Sequence, residues 1–128
     1  MNSVVLDASA LITLLNQEPG ADRLTPEILI NAVSSTVNLA EVQGKLVSRG
    51  LPPDAAWSAT LNSVREAISF TTEHARTTGS LIAETRSLGL SLGDRACLAL
   101  ALDLKAPVYT ADRSWKSLKI GVRIHVIR

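Results

Sequence analysis

Short, wholly apolar segments alternate along this chain with longer amphipathic ones, and glycine or proline separates most of them. Val4-Val5-Leu6 contains no polar residue and is the kind of strand that a parallel sheet buries on both faces. A helix is predicted over 8–15, and Pro19-Gly20 breaks the chain after it. A short helix over 21–29 follows, disturbed by Pro26. Residues 32–37, rich in Val, Ser and Thr, read as a second strand. The next helix spans 38–49, with Asn38 as its N-cap and Gly50 at its end. Beyond Pro52-Pro53, residues 54–64 read as a helix, 67–70 as a strand and 73–88 as a helix closed by Gly89. Ser91-Leu92-Gly93-Asp94 opens the most apolar helix, which ends near Leu104. A helix that is apolar all round is buried. Pro107 leads into a strand, Val108-Tyr109-Thr110, and 124–127 forms a last strand at a sheet edge.

Strands alternating with helices predict an α/β fold: one domain over 1–128, with a central, mostly parallel β-sheet flanked by α-helices and joined by right-handed crossovers. Such sheets place their sites at the carboxyl ends of the strands. There is no repeat, linker or low-complexity segment.

At 128 residues the chain suits a single core. Hydrophobic residues make up 46% and mean hydropathy is +0.20, both high for so small a domain, so part of the apolar surface is expected in a subunit interface. Aromatics supply only 3%, leaving Leu, Ile, Val and Ala to build the core. No apolar run approaches the roughly 18 to 20 residues that span a bilayer. The N-terminus lacks the basic segment of a signal peptide, and a cytoplasmic location is expected. The single cysteine, Cys97, excludes a disulfide framework and a Cys/His zinc set, and it reads as a small buried hydrophobe. Net charge is +1, without the basic excess of a strong nonspecific nucleic-acid binder. If the protein handles RNA, a local groove must do it.

Four acids stand where apolar sequence meets a strand end or a helix start: Asp7, Glu41, Asp94 and Asp112. Carboxylates beside core-forming residues are unfavourable unless compensated, and a divalent cation is one way to compensate them. Asp7 and Asp112 follow predicted strands, while Glu41 and Asp94 fall in the first turns of predicted helices, so one rim of the sheet can hold all four. Each also has a plain structural explanation. Asp7 serves as an N-cap, Glu41 follows Asn38 and Asp94 follows Ser91 at capping-box spacing, and Asp112 starts a turn. Four such coincidences on one rim favour a shared site, and capping is compatible with metal binding. Magnesium and manganese take oxygen ligands and keep several waters, so a few carboxylates suffice. Ser9 and Thr110 flank the acids as hydrogen-bonding supports, or serve as ordinary cap and strand residues.

Other candidates carry less. His74 and His125 read as surface or loop residues. No nucleophile elbow, P-loop or dinucleotide fingerprint occurs. Arg95, Arg113 and Lys116 either contact phosphates or merely balance the acids. Glu41, Lys45 and Arg49, spaced i, i+4, i+8, read as a helix salt-bridge ladder rather than an RNA track.

Four stretches carry a family resemblance. Val4-Val5-Leu6-Asp7-Ala8-Ser9-Ala10-Leu11 resembles the opening motif of PIN-domain ribonucleases. Ser35-Thr36-Val37-Asn38-Leu39-Ala40-Glu41-Val42 resembles their second motif, 92–101 the third and 108–115 the fourth. The order and rough spacing of the acids suit the family, and the likeness covers almost the whole chain. In length it is similar to the VapC-type toxins of bacterial toxin–antitoxin pairs. The resemblance implies a PIN domain acting as a magnesium- or manganese-dependent endoribonuclease. Asp7 and Asp94 would be the principal metal ligands, with Glu41 and Asp112 completing the acidic site directly or through water. It also implies a small antitoxin as partner, RNA as substrate and a homodimer, while the lack of a bilayer-spanning apolar run leads to an expectation of no membrane association. Two rival readings stand beside it. One is a phosphatase-like α/β enzyme with Asp7 as nucleophile, although Ser9 occupies the place where a second Asp is typical. The other is a non-catalytic RNA- or protein-binding module.

Overall fold

The computed structural model describes residues 2–128. Five strands form one sheet: β1 (Val4–Leu6), β2 (Ala32–Ser35), β3 (Glu66–Ile68), β4 (Val108–Thr110) and β5 (Ile124–Val126). Their order is β3-β2-β1-β4-β5 and every neighbouring pair is parallel, so the expected mostly parallel sheet is parallel throughout. The chain builds outward from β1 to β3, then returns to place β4 on the other side of β1. That reversal lies between the carboxyl ends of β1 and β4, where open α/β sheets offer a crevice.

Alternation along the short strands sends side chains into two cores. Val5, Val33 and Val108 join Cys97, Leu98, Leu100 and Trp115 on one face. Leu6 and Ala32 join Leu11, Leu39, Val42 and Leu46 on the other. The first core is built on α7 (Leu92–Leu104), with Leu81 entering it just past the end of α5 (Thr72–Ser80), and the second belongs to α1 (Ala8–Leu15), α3 (Thr36–Ser48) and α4 (Pro53–Asn62). Helix α7 is as buried as its composition predicts, with an unbroken buried run from Ala96 to Ala101. Cys97 is fully buried. No helix among the described residues is long and apolar enough to cross a membrane.

Several boundaries differ from expectation. The segment predicted as one helix over 21–29 is a 3-10 turn, Ala21–Arg23, followed by α2 (Pro26–Leu29). Pro26 starts that helix rather than disturbing it, because a missing N–H is harmless in the first turn. The second strand stops at Ser35, whose hydroxyl caps α3 by accepting from the Val37 N–H, so Asn38 is an interior helical residue and not the cap. The predicted helix over 73–88 splits into α5, α6 (Ile82–Thr85) and a 3-10 turn, Arg86–Leu88. Threonines and Gly79 weaken its helical propensity, and the break lets Leu81 and Leu90 both enter the core. His74 is buried on α5, not at the surface, with Nε2 lying 2.8 Å from Asp103. His125 sits half-buried on β5, stacked on Tyr109.

The last strand is clamped at its end. Gly20 adopts φ +102°, and a methyl group there would overlap the Ile127 carbonyl. Arg128 then donates through Nε to the Pro19 carbonyl at 3.2 Å and pairs with Glu18. Gly20→Ala is expected to destabilise the protein by roughly 2 to 3 kcal/mol, combining left-handed strain with backbone overlap. Urea denaturation measures this as a lower midpoint at unchanged slope.

Candidate active site

Asp7 ends β1 and starts α1, and its side chain is only 3% exposed. Oδ1 accepts from the Ala10 N–H at 2.8 Å, which caps α1. The Ser9 hydroxyl lies 2.8 and 2.9 Å from the two carboxylate oxygens, and Thr110 donates to Oδ2 at 2.6 Å. The same two hydroxyls accept the backbone N–H groups of Ala111 and Asp112 at 2.9 and 3.1 Å. Ser9 and Thr110 therefore support Asp7, and through it they tie β1, α1 and the loop after β4 together.

The structural explanations for Asp94 and Asp112 hold as well. Asp94 completes a capping box with Ser91, Oδ2 accepting the Ser91 N–H at 2.9 Å. Asp112 caps the 3-10 turn Arg113–Ser117, with Oδ1 accepting from the Ser114 N–H and hydroxyl. In each case one oxygen is fixed by the chain and the other has no hydrogen-bond partner among the described residues.

Glu41 differs from expectation. It stands in the second turn of α3, because the helix starts earlier than predicted, and no capping box joins it to Asn38. Asn38 instead lies buried and donates through Nδ2 to Glu41 Oε1 at 2.9 Å and to the Gly93 carbonyl at 3.0 Å. This amide links α3 to the first turn of α7. Gly93 permits the approach, since a methyl group there would overlap the Glu41 carboxylate. Neither Asn38 nor Gly93 stood out in the sequence as a site residue; a buried Asn one turn before an acid was the only available signal.

All four acids line one cleft of about 610 Å³, with Glu18, Lys45, Arg49 and Arg128 also facing it. Glu18 and Arg128 carried no sequence signal, because a closing of the chain's two ends places them there. A hollow of about 650 Å³ at the carboxyl end of α7, beside Lys105, Pro107 and Arg123, contains none of the acids. Of the basic residues expected near phosphates, Arg95 donates to the Thr78 carbonyl at 2.9 Å and ties α7 to α5. Arg113 lines a neighbouring groove instead.

Burial pushes the Asp7 carboxyl up to about 6. Hydrogen bonds from Thr110, Ala10 and Ser9 pull it down, and the nearby Asp94 charge raises it further. Burial likewise drives the Cys97 thiol well above its usual range, with Asp7, Asp94 and Glu41 adding to the effect. Three of the acids thus lie close enough to act on one thiol, and that thiol is kept protonated and unreactive. Among the described residues no three acidic, histidine or cysteine side chains are preassembled around one point. The donor set is nonetheless all oxygen, partly free, and centred on a buried carboxylate with no cationic side chain paired to it. It fits a hard divalent cation that retains part of its water shell.

The chain matches the PIN domain family over residues 4–120. No curated protein matches it significantly. Among solved structures it is similar to DNA-bound VapBC from Salmonella typhimurium, at 19% identity over 100% of both chains, with a TM-score of 0.75. It is similar to VapC20 of Mycobacterium tuberculosis, a toxin that cleaves the sarcin-ricin loop, at 20% identity over 94% of this chain and 99% of that one, TM-score 0.72. VapBC-5 from Mycobacterium tuberculosis matches at 25% identity over 100% of this chain and 99% of the other, TM-score 0.66. The lower identities establish a shared fold.

Two expectations follow from the site. Aspartates titrate near 3.8 in the unfolded chain and Asp7 near 6 in the folded one. The folded state therefore holds this proton more tightly, and stability falls as pH rises from about 4 to about 6, by about 3 kcal/mol. In chelator, denaturation across this range should record that loss, and Asp7→Asn should flatten it and be the more stable protein at pH 7. Gly93→Ala should leave thermal stability within about 1 kcal/mol, since the overlap falls on the end of a flexible side chain and alanine suits a helix. Its divalent-ion affinity, read by calorimetry, should still fall as Glu41 is displaced.

Proposed function

The chain belongs to the PIN-domain family, and from that premise we propose that it is a metal-dependent endoribonuclease, the toxin of a toxin–antitoxin pair. The observation that carries the reading is the buried Asp7 at the β1/β4 reversal, facing one cleft with Glu41, Asp94 and Asp112. Asp7 and Asp94 would hold a magnesium or manganese ion, with Glu41 and Asp112 joining directly or through water. Such a cation supplies an activated water at neutral pH and offsets charge developing on a phosphoryl oxygen. Asp7, immobilised by Ser9, Thr110 and the Ala10 N–H, provides the fixed reference point. Glu41 is exposed, and its Oε2 is available to orient water or accept its proton. Asp112, locked by Ser114, orients water or substrate at the mouth of the cleft.

The domain would span 1–128, since β5 completes the sheet beyond the matched residues and Arg128 faces the cleft. RNA as substrate is supported by the likeness to a toxin that cleaves the sarcin-ricin loop, and a small antitoxin by the likeness to VapBC complexes. Exposed Trp57 and Leu61, one turn apart on α4, with exposed Leu51 just before it, supply apolar surface for an antitoxin or a second copy in a homodimer. An RNA-cleaving role fits a cytoplasmic setting. An aspartyl-phosphate enzyme is disfavoured because Ser9 stands two residues after Asp7, where a second Asp is typical.

Purified, partner-free protein should cut a total cellular RNA pool at discrete positions with manganese or magnesium and not with chelator. Asp94→Asn keeps the acceptor that caps α7 and should lower the rate at least 100-fold. Normal metal binding without any cleavage, or cleavage that survives the substitution, would reject the nuclease reading.

A further inference from the structure

Resting on the nuclease reading, we propose that Lys45 and Arg49 form a phosphate-binding track that leads an RNA single strand along α3 to the acidic centre. Their spacing from Glu41 predicts a salt-bridge ladder, but the ladder does not form. Among the described residues neither Lys45 nor Arg49 joins an ion pair, whereas Arg65 and Arg128 each do. Both side chains instead face the cleft that holds the four acids. They are exposed, with no side-chain hydrogen bond among the described residues to hold them.

The other basic groups near the acids are engaged or elsewhere. Arg95 is spent on the Thr78 carbonyl, Arg128 on Glu18 and Pro19, and Arg113 lines the neighbouring groove. Among the described residues Lys45 and Arg49 are the two basic side chains left facing the cleft without a partner. Along the helix axis they stand about 6 and 12 Å beyond Glu41, one and two turns away. A cation at the acidic centre would offset charge only there, and the flanking phosphates, which still pass close to carboxylates, gain from cationic side chains beside them. A net charge of +1 offers no long-range attraction, so the seat has to be local. The phosphate at the acidic centre is the one to be cut, and those next to it along the strand would rest on Lys45 and then Arg49. Such contacts are indifferent to base identity and set register rather than sequence preference.

The test uses full-length protein carrying Asp94→Asn, with manganese present, and a short fluorescein-labelled single-stranded RNA of mixed sequence. Anisotropy titrations from about 50 to about 200 mM salt give affinity and salt slope. For a single strand, each phosphate that the protein no longer neutralises lowers the slope by about 0.7. Lys45→Ala with Arg49→Ala should weaken binding at least tenfold and lower the slope by about 1.4. Lys45→Arg with Arg49→Lys should restore both, and Lys119→Ala, outside the cleft, should change neither. In the otherwise wild-type protein the double alanine variant should raise KM with kcat kept within about threefold. Lys45 is exposed on α3 and Arg49 is exposed at its C-cap, so neither substitution touches the core and the variant folds.

Unchanged affinity and slope would overturn the track, as would a loss confined to kcat, which would mean that the two cations act on the acids instead. Intact RNA binding with weakened capture of an antitoxin would reassign the pair to partner docking and overturn it as well. Wild-type protein that cuts RNA while the variants bind normally rejects the track alone. Wild-type protein that neither cuts nor binds RNA rejects both readings.

Discussion

A carboxylate taken out of water at the end of the central strand organises this molecule. Asp7 is almost fully buried, and an ionised carboxylate in that position is strongly unfavourable without hydrogen bonds to replace its hydration. The replacements come from three places: the Ala10 N–H of α1, the Ser9 hydroxyl of the same turn, and Thr110 from the adjacent strand. Satisfying one side chain thus fixes the strand-to-helix turn and the register of β4 against β1. The hydrogen bonds offset burial only in part, and the carboxyl remains pushed up to about 6. That residual strain is what a cation at the site would relieve.

The parallel sheet converts this local arrangement into a site. Because every strand runs the same way, every carboxyl end opens on one rim, and the reversal between β1 and β4 leaves the gap in that rim. Helices from both faces contribute. α3 covers one core and α7 the other, and they meet at the rim through the Asn38 amide and the bare backbone of Gly93. Glu41 and Asp94, more than fifty residues apart in sequence, come to share a cleft through that contact.

Capping and site chemistry are not alternatives here. Asp7, Asp94 and Asp112 each cap a helical segment, and the bond that caps also fixes the rotamer. A carboxylate already held in this way has little rotamer entropy left to lose when it takes part in binding. The site is accordingly built on helix starts and strand ends, which are rigid, rather than on flexible loops. The basic residues divide in the same way. Those that the chain uses structurally, Arg95 and Arg128, are bonded to carbonyls, while Lys45 and Arg49 are left free in the cleft.

Sequence alone determined the alternation of strands and helices, the burial of α7 and of Cys97, and the four acids at element boundaries. These are properties of adjacent residues: an unbroken apolar run, a cap three positions from its partner, an acid just past a strand. The supporting role of Ser9 was legible because Ser9 lies two residues from Asp7 in the same turn, and that of Thr110 because it flanks Asp112. Where the sequence misled, local signals competed on equal terms. Ser35 and Asn38 are both good caps; Ser35 takes the cap, and the Asn38 side chain is used instead on Gly93, 55 positions away. His74 was indistinguishable from a surface histidine until α7 brought Asp103 against it. The Glu41–Lys45–Arg49 spacing favours an intrahelical ladder, yet the acid turns toward Asn38 and Gly93 and leaves the two cations unpaired. Tertiary structure alone decided these points, because each depends on a contact between residues that the chain order keeps far apart.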